Sequence, residues 1–171
     1  MPEPTGSARI FDGHALHLDI EDWPAVGRYE VVHHLGAAGV LPITPGGDVV
    51  LVKQFRPAVR GSLTEIPAGL LDVPGEDALS CAARELMEET GYGYSSIEFL
   101  GGYYASPGFT DEYVHLFVAE TEAEPRAAPE EGIEVVQVAI DRMIGAAKGG
   151  RVRDAKTAMA LLLYAGRRPI P

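Results

Sequence analysis

The sequence predicts an α+β fold, a mixed β-sheet sandwich flanked by α-helices. Short apolar runs bounded by Gly and Pro turns indicate strands, helical segments occur singly, and strands and helices do not alternate in the regular way a doubly wound parallel sheet requires. No internal repeat or long linker divides the chain. Its 171 residues, 46% hydrophobic and 23% charged, are enough for one domain with a full core, so a single domain over 1–171 is expected.

Residues 10–35 carry short apolar runs broken by Gly13, Pro24 and Gly27, with a strand suggested at 29–32. The runs at 37–43 and 49–52 are separated by Thr44-Pro45-Gly46-Gly47-Asp48, which predicts a β-hairpin whose second strand continues through Gln54, Phe55 and Arg56. A strand at 63–67 ends at Pro67-Ala68-Gly69. The clearest helix follows, with Glu76 and Asp77 in its first turn and Gly91 as its stop. At about 100° per residue, Leu79, Ala82, Ala83 and Leu86 form an apolar stripe toward the core, with Cys81 on the polar side. Strands are expected at 97–104, 113–119 and 133–140, a loop at 105–110, an acidic stretch at 120–132, and helices at 141–148 and 156–164 around Gly149-Gly150.

Charge narrows the function. Fourteen Lys and Arg stand against 25 Asp and Glu, a net charge of −11 with a pI near 4.8. Nucleic acids and anionic membranes need clustered cations, and here the basic residues are few and scattered. An anionic substrate would need a divalent cation as a bridge. The excess is local: seven acids and one base lie between Glu65 and Glu89, six acids and one base between Glu120 and Glu134, and the remainder balances. A single cysteine, Cys81, gives no internal disulfide, so a reducing cytoplasm is expected. No signal-peptide pattern opens the chain, and no window reaches the roughly 18 apolar residues of a membrane span. Residues 158–165, the most apolar stretch, read as a docked terminal helix.

Glu85, Glu88 and Glu89 share one helical arc, because residues three and four apart lie on one face. Such a face is commonly a solvated surface. Alternatively, carboxylates so close repel unless a cation offsets them, which suits a hard divalent metal with oxygen ligands. Ala78, one turn earlier, leaves room for a ligand, and Arg84 can hold one carboxylate in a bidentate fork. His33, His34 and His115 lack metal-ligand spacing and read as packing or surface residues. Cys81 has no partnered His in the sequence and is not read as a nucleophile.

Written out, the segment runs Gly69, six residues, Glu76, seven residues, then Arg84-Glu85-Leu86-x-Glu88-Glu89-x-Gly91-Tyr92. This resembles the Nudix box, a loop-helix-loop motif, with the usual glycine-to-glutamate gap lengthened by one residue within 70–75, ahead of the helix. The resemblance implies a Nudix-type sandwich that binds Mg²⁺, with Mn²⁺ or another divalent ion substituting, and positions a diphosphate for attack by water. It implies Glu85 and Glu89 as principal metal ligands, Glu88 as a further ligand or hydrogen-bond partner, Arg84 as an orienting residue, and the Ala68 carbonyl as a ligand.

Likeness extends over about 27–165. Glu65-Ile66-Pro67-Ala68-Gly69-Leu70 and Ser106-Pro107-Gly108-Phe109-Thr110-Asp111-Glu112 resemble the ADP-ribose pyrophosphatase branch, whose marker proline stands about sixteen residues past the box glycine, where Pro107 stands here. Gln54-Phe55-Arg56 is similar to that branch's Q-x-R strand, with Arg56 toward the substrate phosphates. The branch implies hydrolysis of ADP-ribose to AMP and ribose 5-phosphate by homodimers with exchanged N-terminal strands, here within 1–35. By position, Arg28 and Glu30 face the adenine, and Ser106, Gly108 and Glu112 border the terminal ribose. The base falls on the acidic loop, at Glu131 first, with Glu130 and Glu134 as alternatives. Other readings are a Nudix hydrolase of another nucleoside diphosphate derivative, such as a nucleotide sugar, and a non-catalytic ADP-ribose sensor. The intact box carboxylates speak against the sensor.

Overall fold

Side-chain alternation along three central strands sets the architecture. The computed structural model describes residues 3–167; residues 1, 2 and 168–171, the ends of the expected single domain, lie outside the described residues. In chain order the strands are β1 (Gly6–Asp12), β2 (Leu16–Trp23), β3 (Gly27–His34), β4 (Ala37–Ile43), β5 (Asp48–Arg56), β6 (Gly61–Glu65) and β7 (Ala68–Leu70). Helix α1 (Ala78–Thr90) follows, then β8 (Tyr94–Tyr104), β9 (Tyr113–Thr121), β10 (Glu134–Ala139), α2 (Ile140–Lys148) and α3 (Ala155–Arg167).

β10, β5, β4, β9 and β8 lie side by side in that order, with β6 on β5 and β7 on β4. Successive residues of these strands face opposite sides of the sheet. Leu41, Val49, Leu51 and Leu116 pack with Ile140, Ile144, Ala160 and Leu161 under α2 and α3. Their neighbours Val40, Val50 and Phe117 pack with Cys81, Ala82 and Leu86 of α1. The sheet is therefore covered on both faces, as the expected sandwich requires.

The expected hairpin is only partly a hairpin. β4 and β5 pair at Ile43 and Val49, after which β4 runs parallel to β9 from Ala37 opposite Val114 to Ile43 opposite Glu120. Residues 10–35 form two strands beyond the one expected, so that β1, β2 and β3 make a separate antiparallel meander. Asp111 and the 106–110 loop join this meander to the main sheet, since Val32 donates to the Phe109 carbonyl at 2.8 Å and Asp111 donates to the Val32 carbonyl at 3.3 Å.

Two features of α1 correct the sequence reading. Asp77 is the N-cap, its carboxylate accepting from the Ser80 N–H at 2.7 Å, so Glu76 and Asp77 precede the first turn. Cys81 is fully buried while Leu79 is 42% exposed, so the core face is Cys81, Ala82 and Leu86 rather than a stripe through Leu79. The reason is β7, which lies against the Cys81 side: the thiol donates to the Leu70 carbonyl at 3.3 Å. Burial raises that thiol's pKa to about 11, which keeps it protonated and inert.

Candidate active site

α1 owes its position to both ends. At its C-terminus Gly91 adopts φ 75°, and its N–H returns to the Met87 carbonyl at 2.8 Å. The acidic stretch satisfies two further carbonyls there, as Arg126 donates to Gly91 at 2.7 Å and Glu130 donates to Glu88 at 2.9 Å. Charge-rich residues at 120–132, remote in sequence, are thereby laid against the box helix.

Arg84 is the hub of the helix face. Its Nε and Nη2 form a bidentate fork on Glu76, outside the carboxylate cluster where it was expected, at 3.0 Å, while Nη1 reaches Glu85 at 2.5 Å and Glu88 at 2.9 Å. Those acids hold the guanidinium's pKa above its ordinary value, Glu76 first. Glu85 and Glu88 thus converge on one cation. Glu89 turns the other way, accepting from the Ala68 N–H at 3.0 Å and from Gln54 Nε2 at 3.3 Å. At 6% exposure its carboxyl is pushed up to about 7 by burial, with the Glu85 charge adding to the effect. Burial also raises Glu85, opposed by Arg84, and Glu88 and Glu130 add repulsion.

A hard divalent cation fits these residues. The groups are all oxygen donors, Glu89 is buried and Glu85 partly so, and a cation would offset the burial and the neighbouring carboxylates that raise their pKa. Room is kept by Gly69: a Cβ there would lie 1.9 Å from Glu85 Oε1.

Arg56 lies on the other flank. Its Nε and Nη2 form a second fork, to both oxygens of Glu65 at 2.9 Å. Glu65 is 1% exposed and also accepts from Lys156 of α3. Although burial opposes it, these two cations hold the Glu65 carboxyl below its ordinary value. The roles of Glu65 and Lys156 were not legible in the sequence, because the pair spans residues far apart in the chain.

Arg28, Glu30 and Gly108 are brought together, with Ile20, Tyr29 and Phe109, around a cleft of about 400 Å³. The cleft is built within one chain, since β3 is stitched to the 106–111 loop. The Ser106 carbonyl closes that loop by accepting from the Phe109 and Thr110 N–H groups, and Glu112 is fixed through its own N–H to Thr110 Oγ1. Of the three carboxylates considered for the base, Glu130 is tied by its backbone to Glu88, and Glu134 pairs with Lys53 at 2.8 Å. Glu131 is exposed in the turn between them. No helix among the described residues is long and apolar enough to cross a membrane.

Comparison with known proteins agrees with this geometry. Residues 33–161 match the NUDIX domain family. The chain is 38% identical over 161 residues to an ADP-ribose pyrophosphatase of Bacillus subtilis (strain 168), covering 90% of this chain and 86% of that protein. It is 39% identical over 141 residues to a GDP-mannose pyrophosphatase of Yersinia enterocolitica, covering 76% and 72%. A crystal structure of an ADP compounds hydrolase superposes with a TM-score of 0.77 at 18% identity over 96% of this chain and 92% of that one, a likeness of fold. With its α1 box, covered mixed sheet and a family match over most of its length, the chain belongs to the Nudix family of pyrophosphohydrolases.

Proposed function

We propose that this protein hydrolyses the diphosphate of ADP-ribose, giving AMP and ribose 5-phosphate, in a reaction that requires a divalent cation. The observation that carries the reading is the α1 face, where Glu85 and Glu88 crowd one guanidinium and Glu89 is buried beside them. The 38% identity to an ADP-ribose pyrophosphatase supports the choice of substrate.

Glu85, Glu89 and the Ala68 carbonyl would hold Mg²⁺ or Mn²⁺, with Glu88 as a further ligand. Bound there, the ion would supply charge neutralisation of the diphosphate and a lowered pKa for water. The protein's own contributions follow from its geometry. Arg84, fixed by Glu76, keeps Glu85 and Glu88 in place. Arg56, oriented by Glu65, offers its Nη1 donors to a phosphate. Arg28 and Glu30 address the adenine with Gly108 across the same cleft, and by the family resemblance Ser106, Gly108 and Glu112 border the distal ribose. Glu131 takes the proton from the attacking water, with Glu130 and Glu134 as the alternatives.

The single domain acts as a homodimer in this reading, with the strands of 1–35 contributing to the contact. Exposed Ile10, Phe11, Val26 and Tyr29 on that meander support this. A single buried thiol suits the cytoplasm.

A nucleotide sugar is the second reading, favoured by the 39% identity to a GDP-mannose pyrophosphatase. Incubation with ADP-ribose, GDP-mannose, other nucleoside diphosphate derivatives and nucleoside triphosphates, with Mg²⁺ or with chelator, separates the two. Metal-dependent AMP release, fastest from ADP-ribose, is expected. Faster GMP release from GDP-mannose would transfer the assignment, and no cleavage of any diphosphate would overturn it.

A further inference from the structure

His33 sits where the N-terminal meander meets the loop that walls the Arg28–Gly108 cleft. One ring nitrogen, Nδ1, lies 2.7 Å from Asp111 Oδ2, and the other, Nε2, lies 3.3 Å from Glu21 Oε1 and 3.8 Å from Asp19 Oδ2. Both nitrogens therefore face carboxylates, which only accept. A neutral imidazole carries one N–H and can satisfy one of them; the imidazolium carries two and satisfies both.

The acids are themselves fixed. Arg9 of β1 holds Asp19 through Nε at 2.6 Å, the Trp23 indole donates to the second Glu21 oxygen at 2.8 Å, and the His34 N–H donates to Asp111 Oδ1 at 2.8 Å. Asp111 thus clips the 106–111 loop to β3 through both carboxylate oxygens. Asp19, Glu21 and His33 place ligand atoms within 4.8 Å of one another, which is also a metal-like grouping. Arg9 already takes Asp19, however, so the cation the group needs is the imidazolium itself. His17 completes the surroundings, its ring 5.8 Å from that of His33.

We propose that His33 is a positioning residue: donating from both ring nitrogens, it locks the 106–111 loop to the meander and holds the Gly108 wall against Arg28 and Glu30. The charged and titratable groups facing it are His17, Asp19 and Glu21 of β2, Arg9 of β1 through Asp19, and Asp111 of the loop. Asp111 raises the imidazole's pKa above its ordinary value, burial opposes this, and Glu21 adds to it. Loss of the proton leaves a lone pair facing a carboxylate, so the clip loosens as pH rises. The consequence for substrate rests on the reading of the cleft as the nucleotide site.

The test uses the full-length protein with His33→Gln and Asp111→Asn, neither of which is placed in the catalytic machinery. Hydrogen exchange at about pH 6, corrected for intrinsic rates, should show the Val32 and Asp111 amides opening on the order of tenfold faster in both variants. The wild type should approach the variants at about pH 9. Trp23, the chain's single tryptophan, should show an emission change with pH that His33→Gln abolishes. With ADP-ribose, KM should rise in His33→Gln at about pH 6 while kcat stays within about twofold. Unchanged exchange in both variants, or a Trp23 titration that survives His33→Gln, would overturn the proposal. Exchange and fluorescence need no substrate, so they decide His33 even if ADP-ribose proves not to be cleaved.

Discussion

Gly69 lies so close to Glu85 that a Cβ on it would stand 1.9 Å from Oε1 and 2.1 Å from the carboxyl carbon. The clash is with the end of a flexible side chain and not with backbone, so it is relieved by swinging the Glu85 carboxylate away. Gly69→Ala should therefore leave the melting temperature within a few degrees of wild type. Turnover and Mg²⁺ affinity should fall by roughly tenfold or more, because the displaced group is a proposed ligand. Isothermal titration with Mg²⁺ beside a thermal melt checks both halves, and wild-type affinity would dissociate Gly69 from the site.

Gly91 makes the contrasting case. It adopts φ 75°, and a Cβ there would lie 2.0 Å from the Ala127 carbonyl oxygen, which is backbone. Gly91→Ala adds left-handed strain, of order 1 kcal/mol, to a collision that no rotamer relieves. A loss of about 2 to 4 kcal/mol in urea unfolding is expected. Activity per folded molecule should also fall, since Arg126 and Glu130 are held to this helix end. The same type of residue thus serves the ligand face at one end of the box and the helix stop at the other.

Glu89 predicts a pH dependence. Burial pushes its carboxyl up to about 7, above the ordinary 4.5 of the unfolded chain. A raised carboxyl favours the fold when protonated, so its contribution is full below about 4.5 and is lost as pH rises through about 7. Metal-free protein should lose stability over that interval by a few kcal/mol at order of magnitude, and Glu89→Gln, which keeps an acceptor for Ala68 N–H, should not. Metal binding has the opposite sign: it needs the carboxylate, so Mg²⁺ affinity should climb through pH 7 and flatten above. Melts in chelator and Mg²⁺ titrations across pH 5 to 9 test both. A pH-independent wild-type affinity would refute the assignment of Glu89.

Glu65 joins Arg56 of β5 to Lys156 of α3 at 1% exposure. Removing the acid leaves Lys156 and the partly exposed Arg56 without their shared counter-charge. Glu65→Ala should cost about 2 to 3 kcal/mol, below the full range for a buried pair because solvent reaches Arg56. Stability from this carboxylate is present above its unfolded pKa and is lost as pH falls through its lowered folded value, so the gap between wild type and variant should narrow in acid. Denaturant curves at neutral and acid pH measure it.

Much of this was legible in the sequence where local chemistry decides. The Gly91 stop and the Glu85, Glu88, Glu89 face follow from spacing along one helix, whereas Asp77, expected in the first turn, is the N-cap. What was not legible depends on partners far away in the chain. Cys81 was placed on the polar side because a wheel through Leu79 ignores β7, which packs against it. β1 was missed because its residues are largely exposed and carry no sustained alternation; β2 does alternate, Leu16, Leu18 and Ile20 against His17, Asp19 and Glu21, but lay between Gly13 and Pro24, which read as breaks. β4 and β9 pair in parallel across an intervening helix, which no turn signal announces. His33 read as a packing or surface residue because its acceptor, Asp111, lies 78 positions further on.

The acidic loop separates two roles by measurement. Glu130 is drawn to the box by its own backbone bond to Glu88, and its charge adds to the repulsion felt by Glu85. Glu130→Gln should therefore ease that repulsion and alter Mg²⁺ affinity. Glu131 is exposed one residue further along, where a proton acceptor keeps access to water. If Glu131 is the base, Glu131→Gln should lower kcat by roughly 10²- to 10⁴-fold with Mg²⁺ affinity unchanged, the cost of losing general base catalysis. The acidic limb of the pH–rate profile should be lost with it. A normal kcat in Glu131→Gln together with a collapsed kcat in Glu130→Gln would move the base one residue back, onto the position that the α1 carbonyl already holds in place.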